Sequence, residues 1–572
     1  MYEKKKFMTG NSDFLSLQEG GFYYVDKTLL IRELLDHPAM VTLITRPRRF
    51  GKTLNMSMLQ AFFESGSGGK KYFQQLQIWN CGEAYTKHCE AYPVISFSLK
   101  DVKGNCWEEM YGQFCNVIRN ETGRLEARGL LGGAGAVQRI EIEDIIQRRA
   151  DRITYMNALQ TLAIAVEQTV GKKPVILIDE YDVPIHEAHE KGCYAEALGF
   201  EKTWLSAGLK DNSSLQFAVI TGVLRIAKES IFSDLNNLKV YSVTSDKYRE
   251  FFGFTETEVR NLAEYYGVPE RMEEIRDWYD GYRIGETEIY NPWSVINYFS
   301  EGCRAHAFWS QTSQNTLIQS MLRKSSENQQ KELRDLLEGK SFEKVISDSI
   351  TYNMLDHGSL ETAPADETTL YTLLVMTGYL KIERILRVLS TAYVCEVKIP
   401  NREIRSLYAD EILEACRAMF PIAISNRFED ALFSRNSQKL QIVMRDFLLQ
   451  TASAFDVSYE AFYQGMMLGL CAVMYENYWL SGNRESGDGR YDIQLKPKQR
   501  EWPGILIELK VYRGKKAGVE LQKELDQLSK QAILQMESNS YETELRAYGC
   551  KEILEYGMAF QGKKVAVASR VM

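Results

Sequence analysis

One stretch constrains this chain more than any other: ITRPRRFGKTLN, residues 44 to 55. The residues leading into it, VTLIT (41–45), are short, apolar and β-branched, which predicts a buried strand. The residues leading out, LNMSMLQAFFE, have helical spacing. Between them stands Gly-Lys-Thr. Strand, loop and helix in this order place backbone N–H groups at a helix N-terminus, where they cradle phosphate with a lysine as point charge. The full pattern G-x-x-x-x-G-K-[ST] wants a glycine where Arg46 stands. That first glycine mainly permits a tight turn out of the strand, a job Pro47 can take over. Gly51, where the backbone must come closest to the anion, is kept. We therefore expect a modified nucleotide loop built on Gly51, Lys52 and Thr53. Arg46, Arg48 and Arg49 should add attraction for a triphosphate.

Three more apolar runs support a parallel sheet: YPVISFSL (92–99), KKPVILIDEYDVPI (172–185) and LQFAVITG (215–222). The second ends in two carboxylates. Asp179 would hold Mg²⁺ together with Thr53, and Glu180 would polarise the attacking water. Arg225, just beyond the fourth strand, is placed to sense a γ-phosphate. His186 and His189, in PIHEAHE, lack the H-E-x-x-H order and a third ligand, so they read as a solvated helix or loop. Upstream, YYVDKTLLIRELLDH predicts a helix with Asp26 as N-cap.

TRPRRFGKTLNMSML, VILIDEYDVPI, ITGVLRIAKESIFSDLNNL and WYDGYRIGETEIYNPWSV together resemble the bacterial AAA-ATPase-like family over roughly residues 5 to 300. The resemblance implies an ATP-binding α/β domain with a helical extension, and puts Lys52, Thr53, Asp179 and Glu180 on its motifs.

The length of 572 residues predicts several domains. We place them at 1–245 (P-loop), 246–435 (a mainly helical, winged coupling region) and 436–572. In the middle, TETEVRNLAEYYG and ERMEEIRDWYDGY have helical charge patterning. LYTLLVMTGYLKIERI reads as helix then strand, AYVCEVKIPNREIRSLY as strand then helix, and 358–370 as a surface loop. No apolar run approaches a membrane span, and the basic start lacks a secretory apolar stretch. The ten cysteines form no C-x-x-C pair and read as the reduced thiols of a cytoplasmic protein. A net charge of −8 argues against a passive nucleic-acid coat, while leaving room for local basic grooves.

The last 130 residues or so, roughly a domain's worth, carry a second constellation. SYEAFYQGMMLGLCAVMYENYWL (458–480) predicts a long amphipathic helix, and residues 485–516 two strands. Period-two alternation puts Asp492 and Gln494 on one face, opposite Ile493 and Leu495. It likewise puts Glu508 and Lys510 opposite Ile507 and Leu509. If the strands pair, Asp492 and Glu508 converge on one Mg²⁺, and Lys510 orients and helps deprotonate a water. Lys496, Lys498 and Arg500 after the first strand, and Arg513, Lys515 and Lys516 after the second, suit a phosphate backbone.

This segment resembles the PD-(D/E)XK nuclease superfamily over about residues 455 to 560. The matching residues are Glu460, Glu485, Gly489-Arg490, Asp492, Glu508, Lys510, Gln535 and Tyr541. The resemblance implies an α/β, restriction-endonuclease-like domain in which Gln535 assists catalysis. Two functions fit: an ATP-regulated, Mg²⁺-dependent nuclease, with DNA the favoured substrate, or an ATP-dependent switch whose nuclease fold binds without cutting. A homo-oligomer is compatible with both.

Overall fold

The structure, a computed structural model, describes residues 4–225, 232, 236–309, 332, 336, 339–347, 349, 367–408, 422–451, 463, 466–467, 470–471, 474, 477–486, 489–514 and 516–572. Side chains at 422–426, 450–451 and 481–491 are outside the description. The chain is mixed α/β and divides into two compact units, Met1–Ser406 and Leu407–Met572. Among the described residues, no helix is long and apolar enough to cross a membrane.

The first unit is built on five parallel strands: β1 (Val41–Thr45), β2 (Val94–Ser98), β3 (Val175–Asp179), β4 (Phe217–Gly222) and β5 (Leu238–Tyr241). Their order is β2-β3-β4-β1-β5. Every residue of β1 and β3 is buried, as expected of strands covered on both faces. In such sheets ligands bind beyond the carboxyl ends of the strands, where the GKT loop and Asp179 both lie. The helix Leu29–Asp36 forms, but Thr28 and not Asp26 occupies its cap position. Asp26 accepts from the Thr28 amide at 2.9 Å and the Gln77 amide at 2.7 Å, tying the helix start to a distant segment.

Beyond the parallel sheet, Thr255 and Glu258 form a reciprocal capping box on the helix Glu256–Tyr266. Lys27 joins Glu258 at 2.6 Å. A short hairpin, β6 (Tyr282–Ile284) and β7 (Thr287–Ile289), precedes the helix Pro292–Ser300. A three-stranded antiparallel sheet follows, ordered β8 (Phe342–Ser347), β10 (Ala392–Lys398), β9 (Lys381–Val388). Residues 367–370, expected in a loop, begin the helix Glu367–Met376, where Leu370 is buried.

The second unit holds β11 (Tyr478–Ser486), β12 (Gly489–Pro497), β13 (Gly504–Val511), β14 (Ile553–Gln561) and β15 (Lys564–Val571), hydrogen-bonded in that order. Only β13 and β14 run parallel, and the helix Gly518–Ser538 makes the crossover such a pair requires. That helix approaches closely because β14 has Gly557 beneath it, where a Cβ would fall 2.1 Å from the Ser529 carbonyl oxygen. The expected helix 458–480 lies largely outside the described residues. Its last three residues, 478–480, belong to β11, with Tyr478 buried and Trp479 turned out by strand alternation.

Candidate functional site

Gly51 caps the helix Lys52–Phe63 in the left-handed conformation, φ 78°, which only glycine adopts freely. Lys52 is buried and its Nζ donates to the carbonyls of Arg46 (3.0 Å) and Pro47 (2.8 Å). Burial lowers its pKa, and Glu180, Asp182 and Asp179 nearby oppose the shift. Thr53 Oγ1 donates to Asp179 Oδ2 at 2.7 Å, so the hydroxyl and carboxylate expected on one Mg²⁺ already share an edge. These hard oxygen donors suit that cation. Glu180 sits at φ 55°, an unfavourable backbone for a non-glycine residue. Burial raises its pKa, countered chiefly by Lys52.

The three arginines separate. Arg46 is fully buried. Its guanidinium donates to the carbonyls of Thr45 (2.8 Å), Tyr241 (3.0 Å), Ser242 (2.9 Å) and Tyr248 (3.2 Å). Burial lowers its pKa to about 9. The expected phosphate contact gives way to a brace between β1 and the segment after β5. The glycine position of the usual loop therefore needs no special φ; the left-handed turn moves to Arg49, φ 68°. Arg49 is half-buried, its guanidinium 4.9 Å from the Trp293 ring centroid. Arg48 alone is exposed, close enough to influence Lys52, Glu180 and His186 electrostatically.

In the second unit, parity and register bring the three expected residues together. Ile493, Leu495, Ile507 and Leu509 enter the apolar core shared with Phe428, Leu440 and Met444. Asp492, Glu508 and Lys510 consequently face the other side. The β12–β13 register, Ile493↔Ile507 and Gln494↔Leu506, sets Asp492 across from Glu508. Asp492 Oδ2 accepts from the Leu509 amide at 2.7 Å. Glu508 is 3% exposed; Lys510 donates to its Oε1 at 2.9 Å, while Oε2 is buried without a partner. Burial, then the neighbouring Asp492, raises the Glu508 pKa to about 7. An orphaned carboxylate oxygen beside a second carboxylate fits a divalent cation. Among the described residues, no group of three or more His, Cys, Asp or Glu side chains is arranged to hold a metal.

Residues 8–232 match the predicted AAA-ATPase family, and residues 458–570 match the PD-(D/E)XK nuclease superfamily. The chain carries both domains. It is also similar to an uncharacterized protein from the vnfD 5' region of Azotobacter chroococcum mcd 1, 26% identical over 415 residues. That alignment covers 72% of this chain and 70% of the relative.

Within the AAA-ATPase domain, sequence reasoning missed Thr221 and Asp182. Thr221, buried at the end of β4, donates its hydroxyl to Asp179 Oδ1. Asp182 accepts from the amides of Val223 (2.9 Å) and Leu224 (2.8 Å), fixing the loop that carries half-buried Arg225. A polar residue ending an apolar strand was the available signal for Thr221. Asp182 gave none beyond the third acid of DEYD. His186 and His189 are half-buried, not fully solvated, and burial lowers the His186 pKa to about 4. In the nuclease-superfamily domain, Gln535 donates to the Tyr541 hydroxyl at 3.3 Å, tying two matched residues together. Glu460, Lys515 and the Glu485 side chain lie outside the described residues. Lys516 pairs with Glu524.

Proposed function

We propose that the protein binds and hydrolyses ATP·Mg²⁺ in its first unit and uses this to regulate Mg²⁺-dependent phosphodiester cleavage of nucleic acid, DNA in the first instance, in its second. The observation that carries the reading is the Asp492 carboxylate, held on the Leu509 amide, beside the buried Glu508, to which Lys510 donates.

In the first unit, amides at the start of Lys52–Phe63 and the Lys52 ammonium hold the phosphates. Thr53 and Asp179 would hold the cation, Glu180 would orient water, and Arg48 and Arg225 would meet the added negative charge. In the second, Asp492 and Glu508 hold a cation that, when bound, polarises the phosphate and its water. Lys510 orients that water and offsets charge developing beside Glu508. The protein's own contribution is positional: two strands fix both carboxylates, and apolar packing beneath them fixes the strands.

Purified protein is incubated with single- and double-stranded DNA and RNA, with Mg²⁺ or Mn²⁺, with and without ATP. Cleavage is expected in wild type and absent in Asp492→Ala and Lys510→Ala, with metal affinity lost only in the first. An Asp492→Ala protein that cuts as well as wild type eliminates this site. Binding without cutting by wild type replaces the nuclease with a recognition module.

A further inference from the structure

We propose that Trp479 and Tyr548, with Lys496 and Arg500, form a stacking platform for single-stranded nucleic acid leading to the Asp492–Glu508–Lys510 edge. This rests on reading the second unit as a nucleic-acid enzyme, and it names the form of substrate that unit takes. Trp479 is 47% exposed on β11, the end strand of the sheet. It lies directly across from Lys496 on β12, so the two share a face. Asp492, Gln494 and Lys496 alternate with core-facing Ile493 and Leu495, so all three share the face of the indole, with Gln494 buried between Lys496 and Asp492. Four steps along the strand lead from Lys496 to Asp492, about 13 Å.

The helix Gly518–Ser538 packs over β13, β14 and β15, leaving this end of the face to the short helix Thr543–Tyr548. The Tyr548 ring meets Trp479 edge-to-face, centroids 6.0 Å apart. Lys496 Nζ lies 4.4 Å and Arg500 Cζ 5.5 Å from the Tyr548 centroid. Lys496 also pairs with Glu544 at 3.4 Å, but that carboxylate is 41% exposed. Such a pair is weak enough for a phosphate to replace it.

An exposed indole beside a tyrosine flanked by two cations has a specific use. Phosphate contacts alone hold duplex and single strand alike. A ring adds affinity only for a base whose face is free, as in single strands and frayed ends. The cations hold the backbone while Trp479 holds a base, and the strand continues toward Glu508.

Full-length protein in EDTA is titrated against fluorescein-labelled single-stranded DNA, single-stranded RNA and blunt duplex DNA, following anisotropy. Trp479→Ala should weaken single-strand binding about tenfold and duplex binding by no more than about twofold, since stacking is lost and phosphate contacts stay. Trp479→Phe should retain most of the affinity. Lys496→Ala and Arg500→Ala should each lower the salt slope by about one. The DNA and RNA arms show which strand is held. Equal losses on single strand and duplex, or no loss on either, overturn the platform. If wild type never cuts yet Trp479→Ala loses single-strand affinity, the platform stands and cleavage falls. If wild type cuts and Trp479→Ala binds and cuts equally well, the platform alone falls.

Discussion

At the scale of single residues, RPRRF shows how one replacement redistributes several jobs. A conventional loop uses glycine at the position of Arg46 to turn. Here Arg46 is a buried brace on backbone carbonyls, and the turn passes to Arg49. Arg46→Ala would strand those carbonyls and should destabilise the first unit by about 3 kcal/mol or more, since each buried acceptor left unpaired costs about 1–3 kcal/mol. Arg48→Ala removes an exposed side chain and should leave the melting temperature unchanged, yet weaken ATP more than AMP. Thermal unfolding and calorimetric titration read the two effects separately; an unstable Arg48→Ala protein would contradict this division. Thr221→Val, nearly the same shape, leaves Asp179 Oδ1 without its partner, so ATP turnover should fall in a steady-state assay while the fold persists.

At the scale of elements, one buried carboxylate joins segments that follow the parallel sheet and lies near Arg49 of the GKT loop. Glu403, fully buried, accepts from Ser294 Oγ at 2.8 Å and the Trp309 amide at 2.8 Å. Burial raises its pKa to about 7; those hydrogen bonds and the nearby Arg49 pull the other way. Because the folded value exceeds the unfolded one, the folded state holds more protons between about pH 4.5 and 7. Stability from this group is therefore fully present below the unfolded pKa and lost as pH rises through about 7, at up to about 1.4 kcal/mol per pH unit. Glu403→Gln keeps the shape without a titrating proton. Its denaturant midpoint should fall less than that of wild type between pH 5 and pH 8; identical slopes would show that Glu403 does not titrate there.

Elements also show what was legible. The four strand runs of the first sheet and the parity of β12 and β13 were readable because burial on one or both faces leaves a periodic apolar trace. The brace of Arg46, the partnership of Thr221 with Asp179 and the Glu403 contact were not. Each joins residues far apart in sequence through a polar contact, and polar contacts leave no period. Trp479 was misread for a related reason: its apolar neighbourhood fits a helical face, and only pairing with β12 makes it the exposed side of a strand.

At the scale of the whole molecule, the question is whether the two chemistries are coupled. The similarity to the Azotobacter protein spans 415 residues, longer than the two matched family spans together, so it extends into residues outside them. Coupling requires that ATP favour one state of the protein, and its effect is bounded by its differential affinity for the two states. Lys52 and Asp492 lie in separate units, so variants at each report on one chemistry at a time. Lys52→Ala should lose at least about 2 kcal/mol of ATP binding, the range of a charge-assisted contact. Its cleavage rate should then no longer respond to added ATP. Asp492→Asn should hydrolyse ATP while cutting nothing. Measured together, ATP turnover and cleavage in wild type and both variants decide the matter. If Lys52→Ala still changes its cutting rate with ATP as wild type does, the nucleotide acts elsewhere. If wild-type cutting ignores ATP altogether, the two units share a chain without sharing a mechanism.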